Sequence, residues 1–140
     1  MAVFNKFSQF VADVANKIHN LGSDTLKILL TNTAPVATNA VKADLTEISA
    51  GNGYTAGGNV AALTSSTQAS GLYKLVLANP ATWTAAGGSI GPFRYAALYN
   101  STAAAGNLVG YWDYGSAVTL AAGETFTATL DASAGVLQLT

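Results

Sequence analysis

The chain lacks cysteine and carries unusually little charge. Without cysteine it can form neither disulfides nor thiolate metal sites, so its stability must come from core packing or from association. Only 9% of its 140 residues are charged, whereas about 25% is usual for a soluble domain. A surface of Thr, Ser, Asn, Ala and Gly is expected instead, and such a surface suits a protein covered by neighbours in an assembly.

Positive charge and long hydrophobic runs are also missing. Six basic residues are scattered along a chain of net charge −1, which predicts binding neither to nucleic acid nor to an anionic membrane. No stretch approaches the roughly 20 apolar residues of a transmembrane helix, and the start MAVFNKFSQF lacks the continuous apolar core of a signal peptide. We therefore expect synthesis in a cytoplasm.

Catalytic and metal-binding combinations are scarce. The single histidine, His19, lies near Asp13, Ser23 and Asp24 in sequence, but a hydrolase triad needs such groups to converge in space. A role at the end of a helix is the ordinary interpretation of His19. The glycines from Gly51 to Gly58 superficially resemble a phosphate-binding loop, but the motif G-x-x-x-x-G-K-[ST] is absent, and turn glycines are the better interpretation. The sequence predicts no enzyme, no metal and no cofactor.

The residues from Phe93 to Gly115 read as a long β-hairpin, because two aromatic and aliphatic runs flank a turn of small residues. Placing Tyr99 opposite Leu108 also aligns Leu98 with Val109, Ala97 with Gly110, Ala96 with Tyr111, Tyr95 with Trp112, and Arg94 with Asp113. The last two form a predicted structural ion pair. Both faces of this hairpin are apolar, so two covers are required: the protein's own core, and either the N-terminal helix or another subunit.

The N-terminal helix is predicted from apolar residues spaced three and four apart between Phe4 and Leu21, ending at Gly22. This stripe either packs on the protein's own sheet or contacts another subunit. The residues expected to contact a subunit or capsid are the stripe members and two loop residues: Phe4, Phe7, Phe10, Val11, Asn52 and Tyr54.

The remaining residues read as short strands separated by turn signals. Strands are expected at 24–31, 60–67, 72–78, 82–84 and 136–140, and Val118 and Leu120 are expected to pair with Phe126, Ala128 and Leu130. Alternation predicts that the first of these strands turns Leu26, Ile28 and Leu30 inward, and that the strand at 72–78 has Tyr73, Leu75 and Leu77 on one face. The predicted fold is mainly β: one domain, residues 1–140, with a helix in 1–22 and an antiparallel β-sandwich or jelly roll in 23–140.

Three segments together resemble a family of small virion proteins of tailed bacteriophages. They are HNLGSDTLKILLTNTAP from His19, ADLTEISAGNGYTAGG from Ala43, and GPFRYAALYN from Gly91 with LVGYWDYGS and VTLAAGETFTATL after it. The resemblance extends to about Leu130.

This resemblance implies a structural component of the phage particle, assembled in the bacterial cytoplasm. A capsid decoration, or cement, protein is the first expectation; it would form a homo-oligomer, such as a trimer, and bind the major capsid protein. The alternative is a tail or head-fibre module that binds a host receptor or glycan. Such a module would use Trp83, Trp112, Tyr111 and Tyr114 to stack sugars.

Overall fold

The computed structural model describes residues 2–140 and is mainly β, with antiparallel sheets and one α-helix in that range. The elements follow in chain order: β1 (Phe4–Lys6), α1 (Ser8–Ala15), β2 (Leu26–Thr31), a 3-10 turn (Lys42–Asp44), β3 (Asn59–Val60), β4 (Leu63–Ala69), β5 (Leu72–Leu77), β6 (Trp83–Thr84), β7 (Ile90–Asn100), β8 (Leu108–Leu120), β9 (Thr125–Phe126) and β10 (Leu137–Leu139).

Three antiparallel sheets make up the fold. Five strands form the largest in the order β1-β8-β7-β2-β3, three form the next in the order β10-β5-β4, and β6 pairs with β9. The alternation expected from the sequence holds in β2, whose Leu26, Ile28 and Leu30 join the main core. Leu75 and Leu77 of β5 join the same core, so the smaller sheets cover one face of the largest. The arrangement is sandwich-like, and a jelly-roll topology stays a prediction.

The opposite face of the largest sheet has its own buried cluster. Phe7, Leu29, Ala97, Tyr99 and Leu108 form it, with Leu45 and Tyr111 packed at its margin. The hairpin therefore does need two covers, as its two apolar faces indicate. Both covers come from the same chain: Phe7 and the segment around Leu45 lie on this second face.

The central hairpin is present, but its predicted register is wrong beyond the turn. Tyr99 does lie opposite Leu108, whereas Leu98 lies opposite Gly110 rather than Val109. Val109 is the extra residue of a β-bulge, which moves the partners of Leu98 through Tyr95 by one position. The register shifts again before Phe93, which lies opposite Val118. The predicted register would have placed Trp112 on the face of Ala97 and Tyr99. Instead Trp112 joins Leu98 in the main core, and Tyr111 lies with Ala97 and Tyr99 on the second face.

The predicted helix is also too long at both ends. Phe4–Lys6 is a strand that pairs with β8, and the helix covers Ser8–Ala15 only. It ends in a Schellman motif: Ile18 N–H donates to Asp13 O at 2.9 Å and Lys17 N–H to Val14 O at 3.3 Å. Lys17, with φ 67°, occupies the left-handed position that the sequence assigned to Gly22.

The predicted pairing of Val118 and Leu120 with the strand after the Ala121 turn is wrong as well. Val118 and Leu120 extend the hairpin and pair with Phe93 and Ile90. The following strand, β9, pairs instead with β6, Phe126 opposite Trp83. Aromatic packing explains the choice, because the Trp83 and Phe126 rings stack with centroids 6.0 Å apart.

Candidate functional site

One well-defined polar cluster, at the margin of the main core, joins Glu47, Tyr54 and the Gly57–Gly58 turn. The Tyr54 hydroxyl donates to Glu47 Oε1 at 2.6 Å and accepts from the Leu30 backbone N–H at 3.1 Å. Glu47 Oε1 also accepts from Gly57 N–H at 2.5 Å, and Lys42 Nζ lies 3.3 Å from Glu47 Oε2. These bonds hold the long connection between β2 and β3 against the sheet.

This cluster completes the edge of β2. The short strand β3 pairs only with Lys27 and Ile28, so the backbone beyond Ile28 needs other partners. Leu30 N–H is satisfied by the Tyr54 hydroxyl, and Leu30 O accepts from Ile48 N–H at 3.1 Å. Burial and the neighbouring Glu47 carboxylate raise the pKa of Tyr54 well above its ordinary value, so its hydroxyl keeps the proton that it donates.

The glycines of the connection allow its close approach to the sheet. Gly58 has φ +74°, and a Cβ there would overlap the Ile28 carbonyl oxygen. Gly53 has φ +105°, and a Cβ there would overlap the Thr84 carbonyl oxygen. The Gly-rich stretch therefore serves packing, in agreement with its interpretation as turns.

The two predicted loop contacts have internal roles in this region. Tyr54 is only 2% exposed, so it offers almost no surface to a partner. Asn52 is exposed, but its side-chain amide donates to Ser89 O at 3.1 Å and lies over Gly88. Of this pair, only Asn52 is accessible to a partner.

The predicted helix contacts divide in the same way. Phe7 and Phe10 are 0% and 1% exposed and are used by the chain's own two clusters. Phe4 is half-buried, with its ring 5.0 Å from that of Trp112 and directly over Gly110. Val11 is 56% exposed. The helix thus packs within its own subunit, and of the four predicted contact residues Val11 is the one that stays well exposed.

A second polar cluster gathers the single histidine with two aspartates and two asparagines. His19 Nδ1 lies 3.0 Å from Asn100 Nδ2, and Asn100 Nδ2 also donates to Asp24 Oδ2 at 2.6 Å. His19 Nε2 lies 3.9 Å from Asp13 Oδ2, an oxygen that accepts from Asn107 Nδ2 at 3.0 Å. The cluster links α1 and the loop after it to both ends of the hairpin turn.

The hydrogen bonds determine which nitrogen of His19 carries the proton. Asn100 Oδ1 accepts from the backbone N–H groups of Thr102 and Ala103, so its amide nitrogen must face His19. Nδ1 is then an acceptor and Nε2 carries the proton. Nε2 is buried without a hydrogen-bond partner among the described residues, and Asp13 Oδ2, 3.9 Å away, is too distant to accept from it. Burial lowers the pKa of His19, although Asp13 and Asp24 act in the opposite direction.

This geometry differs from a hydrolase triad. Across residues 2–140, no serine or threonine hydroxyl hydrogen-bonds to His19, and the backbone N–H of Ser23 donates to Asn20 O. A groove of about 480 Å³ adjoins the cluster and is lined by residues such as Lys17, Ile18 and Tyr73. The arrangement can hold a neutral imidazole and tie elements together; it presents no nucleophile beside a base.

The aromatic residues considered for sugar stacking lie mostly inside the protein. Trp83 and Trp112 are 1% and 4% exposed. Tyr111 and Tyr114 are half-buried, and burial raises the pKa of Tyr114 to about 12. Sugar stacking needs an accessible ring face, which neither tryptophan presents.

Arg94 and Asp113 form the bidentate pair expected from the sequence. Arg94 Nε donates to Asp113 Oδ1 at 2.8 Å and Nη2 to Oδ2 at 3.0 Å. Because the register is moved by the bulge, Tyr95 rather than Arg94 lies directly opposite Asp113. The guanidinium holds the pKa of Asp113 below its usual range. The pair is well exposed, so it adds little to stability.

The described residues contain neither a cluster of metal ligands nor a membrane-spanning helix. Residues 2–140 contain no group of three or more His, Asp or Glu side chains placed to hold a metal ion. No helix in the same range has the length and apolarity needed to cross a bilayer.

Comparison with protein-family models, with curated proteins and with solved structures found no match to this chain. The resemblance to phage virion proteins therefore stays a prediction from the sequence.

The structural roles of Glu47, Asn100 and Asn107 were not predicted from the sequence. Glu47 had a signal that could have been used, since it is one of seven acidic residues in a charge-poor chain. Asn100 and Asn107 read as turn residues and do flank the hairpin turn. Their contacts to Asp24 and Asp13 join residues 76 and 94 positions apart, which local patterns do not report.

Proposed function

We propose that this chain is a non-catalytic structural component of a tailed-bacteriophage particle, in the first place a capsid decoration protein. It would assemble with copies of itself and bind the major capsid protein on the head. The proposal starts from the sequence resemblance described above. The observation that supports it most is the charge-poor exterior, with only 9% charged residues in the chain.

A neutral surface suits permanent contact for a physical reason. Burying a charged group in an interface costs several kcal/mol unless it is paired, whereas hydroxyl and amide groups are satisfied by single hydrogen bonds or trapped water. Exposed stretches such as Thr64–Ser70 and Ala103–Ala105 contain no charged residue. Neighbouring subunits can cover such stretches without burying an unpaired charge.

The region around α1 is the most favourable place for the capsid contact. Val11 on α1 is 56% exposed, and Val3, shortly before β1, is 74% exposed. Ser8 N–H donates to Ala37 O at 2.9 Å, which fixes the segment of Val36, 54% exposed, beside the start of α1. Burying these valines would contribute about 25 cal/mol per Å² of apolar area.

The first test uses purified particles of the phage that encodes the chain. Heads and tails are separated, and each fraction is examined by mass spectrometry and cryo-electron microscopy. We expect many copies on the outer surface of the head. Absence from particles, or presence in tails alone, would overturn the decoration assignment.

A second test adds recombinant protein to heads that lack it and measures binding by co-sedimentation. Val11→Asp should weaken binding at least tenfold, because it places a charge in the proposed contact. Val60→Asp is the matched control, since Val60 is 46% exposed on β3 at the far edge of the same sheet. Equal loss in both variants would contradict the contact at α1.

A further inference from the structure

The edges of the three sheets are protected unequally. β1 and β10 have three residues each, and β3, β6 and β9 have two, and short edge strands are a usual protection against pairing with other chains. β4 has seven residues, Leu63–Ala69, and pairs only with β5. Among the strands that end a sheet in residues 2–140, it is the longest.

β4 also lacks the residues that normally block an edge. Its sequence, LTSSTQA, contains no lysine, no other charge and no proline. A bulge interrupts the pairing with β5 between Leu63 and Ser65, but Ser65 to Ala69 pair with β5 without interruption. No backbone hydrogen bond from residues 64–69 to any group beyond β5 is present in the described chain. Their outward N–H and C=O groups are open to another strand.

We propose that the open edge of β4 is the site at which a second copy of this chain adds, antiparallel, to form one continuous six-stranded sheet. A two-fold axis at Thr67, the middle of the regular stretch, would place Thr67 opposite its own copy and Ser66 opposite Gln68 of that copy. Backbone hydrogen bonds across the edge specify a strand as the occupant. This inference is independent of the proposed role on a capsid.

Charge favours a second copy as that strand. The residues from Asn59 to Tyr73 carry no charge, so an antiparallel pair of β4 strands brings no like charges together. The first charged residue after β4 is Lys74, which lies opposite Thr67 on β5. In the dimer the two Lys74 side chains would be three strand spacings apart, about 14 Å, beyond the screening length of about 8 Å at physiological salt.

Side chains at the edge suit the same pairing. Thr67 and Gln68 are exposed, and neutral hydroxyl and amide groups form favourable cross-strand pairs. Leu63, 42% exposed, would gain cover at the end of the shared edge. A contact of this size lies at the small end of stable interfaces, so a dimer that dissociates on dilution is expected.

Sedimentation velocity of the full chain between 1 and 200 µM tests the proposal. We expect a concentration-dependent dimer for the wild type and a shift toward monomer of at least tenfold in dissociation constant for Thr67→Lys, which puts two like charges on the axis. Thr119→Lys, at an exposed position of β8, is the control of equal charge and should dimerise like the wild type. A monomer at every concentration, or equal dimerisation of Thr67→Lys, would overturn the proposal.

Cross-linking locates the axis without relying on affinity. Because the chain has no cysteine, a single introduced thiol reports one contact. Directly opposed residues of antiparallel strands have Cα atoms about 4.5–5.5 Å apart, within the range that a disulfide spans. Thr67→Cys should give a covalent dimer on mild oxidation, and Thr119→Cys should not. Equal cross-linking of both variants would contradict pairing at β4.

Discussion

Replacing Tyr54 by phenylalanine removes a single hydroxyl that serves two partners under the long β2–β3 connection. Leu30 N–H, in a residue that is 0% exposed, loses its acceptor, and Glu47 loses a donor at 2.6 Å. The aromatic ring stays, together with its packing against Trp83 at 6.4 Å between centroids. The change is therefore confined to hydrogen bonding.

The expected loss follows from these two bonds. Leaving a buried donor without a partner costs about 1–3 kcal/mol, and a hydrogen bond to a charged group contributes about 1.5–3 kcal/mol. Glu47 keeps Gly57 N–H and Lys42, which offsets part of the second loss. We expect Tyr54→Phe to lower the free energy of unfolding by about 2–4 kcal/mol.

Urea denaturation followed by tryptophan fluorescence measures this change, because Trp83 lies beside Tyr54 in the core. Tyr73→Phe is the matched control: its hydroxyl bonds only to Ser66 Oγ, at 2.7 Å in a half-buried site. It should cost about 1 kcal/mol or less. If the two variants differ by less than 0.5 kcal/mol, a margin of about the size of a weak hydrogen bond, the assignment of Tyr54 as the partner of Leu30 is refuted.

A double-mutant cycle with Glu47→Ala separates the two bonds, because alanine, unlike glutamine, leaves no oxygen to accept from the Tyr54 hydroxyl. The charged bond between Tyr54 and Glu47 predicts a coupling energy of about 1 kcal/mol or more, since residues of one hydrogen-bond network are not additive. Strict additivity would show that the whole effect comes from Leu30.

Three further predictions concern backbone and charge. Gly58→Ala should abolish or severely reduce folding, because the added Cβ would overlap the Ile28 carbonyl oxygen. The control is Gly123→Ala, at φ +94° with no atom within 4 Å of the added Cβ, which should lower the stability measured in a thermal melt by only about 1–2 kcal/mol. Equal losses of stability in the two variants would contradict the overlap. Lys17 holds the left-handed backbone conformation that ends α1, which is strained for a residue with a side chain. Lys17→Gly should remove this strain and raise the free energy of unfolding in urea by about 0.5–1 kcal/mol, and a loss of stability would refute the strain. The pKa of His19 is lowered in the folded chain, so the unfolded chain binds the proton more tightly. The free energy of unfolding should therefore be constant above the ordinary histidine pKa of about 6.5 and fall as the pH drops below it. His19→Gln should flatten this slope between about pH 7 and 5, and an unchanged slope would contradict the assignment.

The strands that carry strong alternation could be predicted from the sequence alone. The core face of β2 contains Leu26, Ile28 and Leu30, and that of β5 contains Leu75 and Leu77, as predicted. Large aliphatic residues at every second position give a strand one apolar face, and that face is the one buried. The hairpin and its turn were predicted from composition instead, since two aromatic and aliphatic runs flank a turn of small residues. The ion pair between Arg94 and Asp113 follows from opposite charges at the ends of its two arms.

The register of that hairpin was beyond the reach of local pattern. Gly110 inside a strand is a weak signal for a bulge, but it identifies neither Val109 as the extra residue nor the resulting partners. In the folded chain the Phe4 ring occupies the space over Gly110, and Phe4 pairs opposite Trp112. A residue more than 100 positions away therefore takes part in the contacts that fix which face Trp112 occupies.

Periodicity by itself determined that the chain is mainly β, with an amphipathic segment before the first long strand and with two apolar hairpin faces that need cover. Only the tertiary structure decided what covers them: Phe7 and Phe10 turn inward within their own subunit. The helix ends at a left-handed Lys17, and Glu47 and Tyr54 complete an edge that β3 leaves open. The physical reason is that burial and hydrogen-bond satisfaction are settled between distant segments, whereas sequence patterns report only the preferences of neighbours.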